Sequence, residues 1–228
     1  MIEKKSEFFG GVGLMAGFIL VLIIIFMPVF NGQNGLNYLD ALYNSISKGS
    51  AYYIPKVQDE ASAFKGVTVG VTLDMASAEQ AEQAAALFMQ SGAMVNVSGQ
   101  ALKIDGGLGN ILANCLTDAE KMYHNEGQAV AGKYGYDAKR VLFNWWMSFK
   151  LMERELKAQK LFKEAKIVDL VLKKAVETSY NYYQIVPQKI KDKFGIVTFS
   201  LLFYVIYTLW YGFAILFMFE GWGLKLEH

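Results

Sequence analysis

The sequence predicts an α+β membrane protein: two transmembrane helices flank a small β-α-β-β-α domain and a long, coiled-coil-like helix that leads into the second span. Three observations predict it. Residues 10–30 and 196–219 contain no Asp, Glu, Lys or Arg, and each block reaches the roughly 20 residues that cross a bilayer. Between them, apolar residues alternate with polar ones at Val67, Val69, Val71 and Leu73, the period of a half-buried strand. From Asp137 onward the apolar spacing changes to three and four, the period of a packed helix.

Residues 1–9 form a short tail, and the first span follows over 10–30. Lys4 and Lys5 precede it as they would a secretory signal, but a signal's apolar core is about 7–15 residues long and ends at a small-x-small site. This block is longer and continues into Asn31-Gly32-Gln33-Asn34, so it reads as a retained anchor. In residues 31–50, Leu36, Leu39, Leu42 and Ile46 recur at helical spacing up to Gly49, predicting a short amphipathic helix at the membrane surface.

Residues 51–136 form the α+β domain. After the strand around Val67–Leu73, Ser77 with Gln80 reads as a capping box for an Ala-rich helix through Gln90, and Gly92 ends it. Val95 and Val97, a Ser98-Gly99 turn, then Leu102 and Ile104 predict a hairpin. Asp105-Gly106-Gly107 is expected to break the strand before a helix over 108–125, and a Gly- and Tyr-rich loop follows. The order predicts one sheet with helices on one face. Domains of this order assemble side by side into rings in several membrane secretion machines, an analogy of topology alone.

Residues 137–186 predict a helical stalk capped by Asp137. Leu142, Trp145, Phe149, Met152 and Leu156 keep the spacing, and after a skip Leu161, Ala165, Val168, Leu172, Ala175 and Ser179 resume it. The skip predicts a phase change or bend near Gln159. An unbroken helix here would reach roughly 70 Å at about 1.5 Å per residue. Pro187 ends it, and a basic juxtamembrane segment, 187–195, presents Lys189, Lys191 and Lys193 to lipid headgroups. The second span, 196–219, precedes a tail, 220–228, whose Leu226-Glu227-His228 ending looks like a purification-tag scar. Trp222 and Trp210 are expected at its interfacial end.

Charge refines this picture. The chain of 228 residues is 54% hydrophobic with a formal net charge of +1, which excludes a disordered tail and a strongly basic nucleic-acid binder. Residues 31–136 carry 6 basic and 10 acidic side chains, whereas 137–195 carry 13 basic and 7 acidic, so the two parts are electrostatically complementary. Residues 31–47 lack Lys and Arg, which favours cytoplasmic N- and C-termini and an extracytoplasmic central domain. Lys189, Lys191 and Lys193, against Lys225, point the other way. The first span is given precedence because the central segment is too long to obey the rule.

The inventory for chemistry is thin. A single cysteine, Cys115, allows no intramolecular disulfide, and His124 and His228 are too few for a bis-histidine haem within the membrane. Cys115 and His124 lie nine residues apart on one predicted helix, hence on opposite faces. Asp105-Gly106-Gly107-Leu108-Gly109-Asn110 matches neither the dinucleotide fingerprint nor the P-loop. The expectation is a non-enzyme with no cofactor and no metal site.

The spans carry the remaining signals. Gly13-x-x-x-Gly17, with Gly10 and Ala16 nearby, permits close helix approach. Ser200, Tyr204, Tyr207 or Thr208, and Tyr211 fall on one stripe of the second span, where each hydroxyl needs a partner or water, so the stripe faces another helix or a wet lumen. Two spans cannot enclose a pathway, so the protein is expected to assemble with itself as a homo-oligomer, a pore or channel beneath a ring-like domain. The alternative is a non-catalytic accessory subunit that partners other membrane subunits in a transport or respiratory complex. A ligand-binding receptor ranks third, because the short tail after the second span leaves no output module.

Overall fold

The computed structural model describes residues 2–30 and 32–224, so Asn31, Lys225 and the Leu226-Glu227-His228 ending lie outside the described residues. The chain is mostly helical, with one three-stranded antiparallel sheet, and divides into two compact units. One comprises residues 1–49 and 186–228, the other Ser50–Ile185.

The first unit holds α1 (Lys5–Phe26), most of α2 (Gly35–Ser50) and α10 (Phe194–Gly221). Helices α1 and α10 are long and apolar enough to cross a membrane. The first is shorter at its far end than the apolar block, because Pro28 cannot continue a helix and Met27 is already extended. It begins earlier, drawing Lys5, Ser6 and Glu7 into its first turn. Asn34 starts α2, its side-chain oxygen accepting the Asn37 amide at 2.8 Å.

In the second unit the sheet order is β1-β3-β2, from β1 (Thr68–Asp74), β2 (Met94–Ser98) and β3 (Ala101–Gly107). The predicted hairpin pairs Val95 with Ile104 and Val97 with Leu102, and Gly99 supplies a φ of +60° at the turn. On the other edge Val71 pairs with Ile104. Val69, Val71, Leu73, Leu102 and Ile104 are buried, and the alternating residues of β1 are exposed, as period two requires. Helix α4 (Ala78–Gln90) is capped by Ser77, whose hydroxyl accepts the Gln80 amide at 3.1 Å.

Four expectations are corrected. Asp105-Gly106-Gly107 does not break the strand: β3 runs through Gly107, paired with Thr68, and α5 (Leu108–Tyr123) starts at the next residue. The glycines serve close packing here, since a Cβ on Gly106 would lie 2.6 Å from that of Ala93 and one on Gly109 2.9 Å from the Phe64 carbonyl. The Gly- and Tyr-rich stretch is a helix, α6 (Gly127–Tyr134), ended by Gly135 at φ +80°. A further helix not anticipated from sequence, α3 (Ile54–Ser62), opens with Pro55 in its first turn.

The fourth correction is the stalk, which does not form. Helix α7 (Ala138–Ala158) stops at a three-residue turn in which Lys160 adopts φ +64°, and α8 (Phe162–Val171) folds back onto α7. A π-helical turn, Leu172–Val176, then leads into α9 (Glu177–Tyr182). The apolar stripe read as a coiled-coil seam is domain core. Trp145, Phe149, Met152, Val168 and Val171 are fully buried, and Trp145 meets Phe88 edge-on with ring centroids 5.5 Å apart. Gln159 donates to the Gly70 carbonyl at 2.9 Å, covering the outer edge of β1.

Candidate functional site

The sequence-singled residues gather in the first unit, where α1 and α10 pack against each other in antiparallel fashion. Gly11 sits against Met218 and Ala214, Gly17 against Trp210, and Phe18 against Tyr207. A Cβ on Gly11 would come within 2.7 Å of the Met218 backbone nitrogen, and one on Gly221 closer still to the Phe8 nitrogen, so these two glycines let the helices approach closely. Sequence reasoning missed Gly11, which lies outside the Gly-x-x-x-Gly pair.

That pair is split by the packing. A Cβ on Gly17 would lie 2.9 Å from the Trp210 ring, whereas Gly13 has nothing within 4 Å and is exposed with Ala16 and Leu20 on the outer side of α1. Trp210, expected at the interfacial end, packs against α1. Its ring covers Gly17 and its indole N–H donates to the Leu14 carbonyl at 3.0 Å.

The hydroxyl stripe is split in the same way. Ser200, buried, donates to the Val197 carbonyl at 2.9 Å and shares a 2.6 Å hydrogen bond with the Tyr43 hydroxyl of α2. The Tyr207 ring stacks on Phe18 at 4.2 Å, and its hydroxyl donates to the Phe18 carbonyl. Thr208 donates to the Tyr204 carbonyl one turn back, a bond within its own helix. Tyr204 is 68% exposed and Tyr211 44%, and neither hydroxyl is bonded among the described residues. At about 100° per residue, Tyr204 is turned some 60° from Tyr207 around the helix axis, enough to take it out of the α1 seam. Lys189 and Lys191 are exposed and Lys193 half-buried, the last two in a 3-10 turn that enters α10.

In the second unit the candidate reactive residues are set apart. Cys115 is enclosed in the core, and burial, with the Asp118 carboxylate beside it, pushes its thiol well above the ordinary range. His124 is exposed beyond the end of α5, edge-on to Tyr52 and Tyr123. Among the described residues no group of three or more His, Cys, Asp or Glu side chains is placed to hold a metal ion.

One polar cluster was not foreseen. Asp118 is fully buried and accepts from the Tyr134 hydroxyl at 2.5 Å, the Lys133 ammonium at 2.7 Å and the Trp145 indole at 3.0 Å. Asn114 accepts a second bond from Lys133 and donates to Ser91 at 2.9 Å, tying α5 and α6 to α4. Burial and the adjacent carboxylate raise the Tyr134 hydroxyl above its usual range. The signal was present in the spacing, for Asp118 continues the apolar positions Leu108, Ile111 and Cys115 along one face of α5. Every oxygen of the carboxylate is engaged from within the domain, so the cluster braces helices and has no room for substrate.

A shallow cleft beside Trp146 also fails as a site. Trp146 donates to Glu177 at 2.8 Å, while Lys150, Arg140 and Lys139 lie over the Trp146, Phe143 and Tyr180 rings, so the cations that suit these faces are already present.

No family model matches the chain, and searches of curated proteins and of solved structures gave no significant match.

Proposed function

We propose that this chain is a two-span integral membrane protein that assembles with further copies of itself, with Ser50–Ile185 as its extramembrane domain. The observation that carries the reading is the half-filled seam of α1 and α10. Ser200, Tyr207 and Trp210 are satisfied inside one chain, whereas the Tyr204 and Tyr211 hydroxyls have no hydrogen-bond partner among the described residues, on a helix apolar enough to cross a membrane. In hydrocarbon such a hydroxyl costs several kcal/mol unless another helix or water meets it. The uncovered Gly13 and Ala16 allow a neighbouring helix to come close.

On this reading the antiparallel α1 and α10 put both ends of the chain on the cytoplasmic side, and Lys189, Lys191 and Lys193 meet headgroups at the opposite surface. The role assigned is assembly, and a pore where Tyr204 lines water, with no catalytic step. The test is native mass spectrometry of the protein in a mild detergent. A single closed assembly of three or more chains supports the proposal and makes ion flux in liposomes the next measurement. A monomer sinks it and turns attention to an accessory subunit whose partner is another chain.

A further inference from the structure

Helix α8 and the π-helical turn after it form one wall of a groove of about 550 Å³, and the end of α3 forms the other. Its floor is apolar, made by Phe64, Ile167 and Leu170. Four lysines stand on its rim against two acids, Glu60 and Asp169. Spacing explains the arrangement. Lys163, Lys166, Leu170 and Lys174 are spaced by three or four residues, and Ile167 lies four from Lys163 and three from Leu170, so ammonium groups edge an apolar strip.

The rim charges are unequally used. Lys173 is neutralised by Asp169 at 2.9 Å. Lys174 lies over the Tyr53 ring at 4.8 Å, and neither Lys163 nor Lys166 has an ion-pair partner among the described residues. The groove thus offers unpaired positive charge above hydrocarbon, in a volume within the range of small-molecule sites. It spans only some 16 Å of helix, too little for a protein interface of about 800 Å² per partner.

We infer that this groove binds an amphiphilic anion, with a phosphate or carboxylate head on the neighbouring Lys163 and Lys166 and a hydrocarbon body running against Phe64, Ile167 and Leu170. The inference is independent of how many chains assemble, because every residue in it belongs to Ser50–Ile185 of one chain. A membrane phospholipid and a free fatty acid share this chemistry.

The test is lysine acylation footprinting of the full chain in maltoside detergent. The probes are dihexanoyl phosphatidylglycerol, decanoate, dihexanoyl phosphatidylcholine and inorganic phosphate. At a ligand concentration about four times Kd, occupancy should slow acylation of Lys163 and Lys166 about fivefold. Exposed Lys103 on β3 should be unaffected. Stronger protection by phosphatidylglycerol identifies a membrane lipid, and stronger protection by decanoate a free acyl anion. Equal protection by phosphate or by phosphatidylcholine overturns the inference, since one lacks the body and the other the net charge. Protection by no probe overturns it as well. Ala63→Glu, at an exposed position in the groove, should abolish protection without shifting the melting temperature, and protection that survives it places binding elsewhere.

Discussion

Replacing Asp118 with alanine removes a fully buried carboxylate that serves three donors on two other helices. The Lys133 side chain keeps 25% of its surface exposed, so its ammonium turns to water at little cost. Tyr134 loses the acceptor of its O–H, because the Asn114 bond at 3.2 Å is one that its oxygen accepts, but it is only half-buried and can turn that O–H to water, a net loss of about 1.5–2 kcal/mol. Trp145 has no such escape: its indole N–H is left unpaired in the core, at about 1–3 kcal/mol. Together these give about 3–5 kcal/mol, the range found when one partner of a buried pair is removed. At about 4 °C per kcal/mol for a unit of this size, the melting midpoint should fall by about 12–20 °C. Differential scanning calorimetry at pH 7 measures it, with Asp118→Asn as the shape-conserving comparison. A loss for Asp118→Ala below about 1 kcal/mol would refute the view that this carboxylate braces α5, α6 and α7.

Gly17→Leu should push Trp210 aside and speed hydrogen exchange in α1 and α10, whereas Gly13→Leu should leave that exchange unchanged and reduce only the assembly mass. Equal effects of the two would count against a split motif. Lys160→Gly should raise the midpoint by about 2–4 °C, because it relieves about 0.5–1 kcal/mol of left-handed backbone strain, as thermal melts will show. Tyr52 hydrogen-bonds to Glu120 at 2.6 Å, and that bond, with burial, pushes its hydroxyl up to about 12. The unfolded chain releases this proton near pH 10 while the folded one still holds it. Stability should therefore be intact below pH 10 and decline towards pH 12, a slope that Tyr52→Phe should flatten in melts taken from pH 8 to 12. Stability that rises above pH 10 would contradict the assignment.

Local patterns were legible wherever the periodicity of neighbouring residues reports burial directly. Alternation over Val67–Leu73, the Ser77 cap and the Ser98-Gly99 turn specify their elements within a few residues, so the strand-helix-hairpin-helix order follows from sequence alone. The two apolar blocks likewise need no partner to declare themselves, since length and lack of charge are properties of the segment. Long-range placement was not legible. The stripe from Leu142 to Ser179 has the same spacing whether it meets a second helix in a coiled coil or folds back on itself. The skip in that spacing did announce a break near Gln159, but not a full reversal, which rests on Lys160, a residue that is neither glycine nor proline and holds a positive φ between two docked helices. The candidate site divides similarly. Sequence showed that hydroxyls and glycines line the two apolar helices, because composition and period are enough for that. Only the packed structure decided that Ser200, Tyr207 and Gly17 are used within one chain while Tyr204 and Gly13 are left outward, because helix rotation is set by contacts such as Gly11 on Met218 and Trp210 on Gly17.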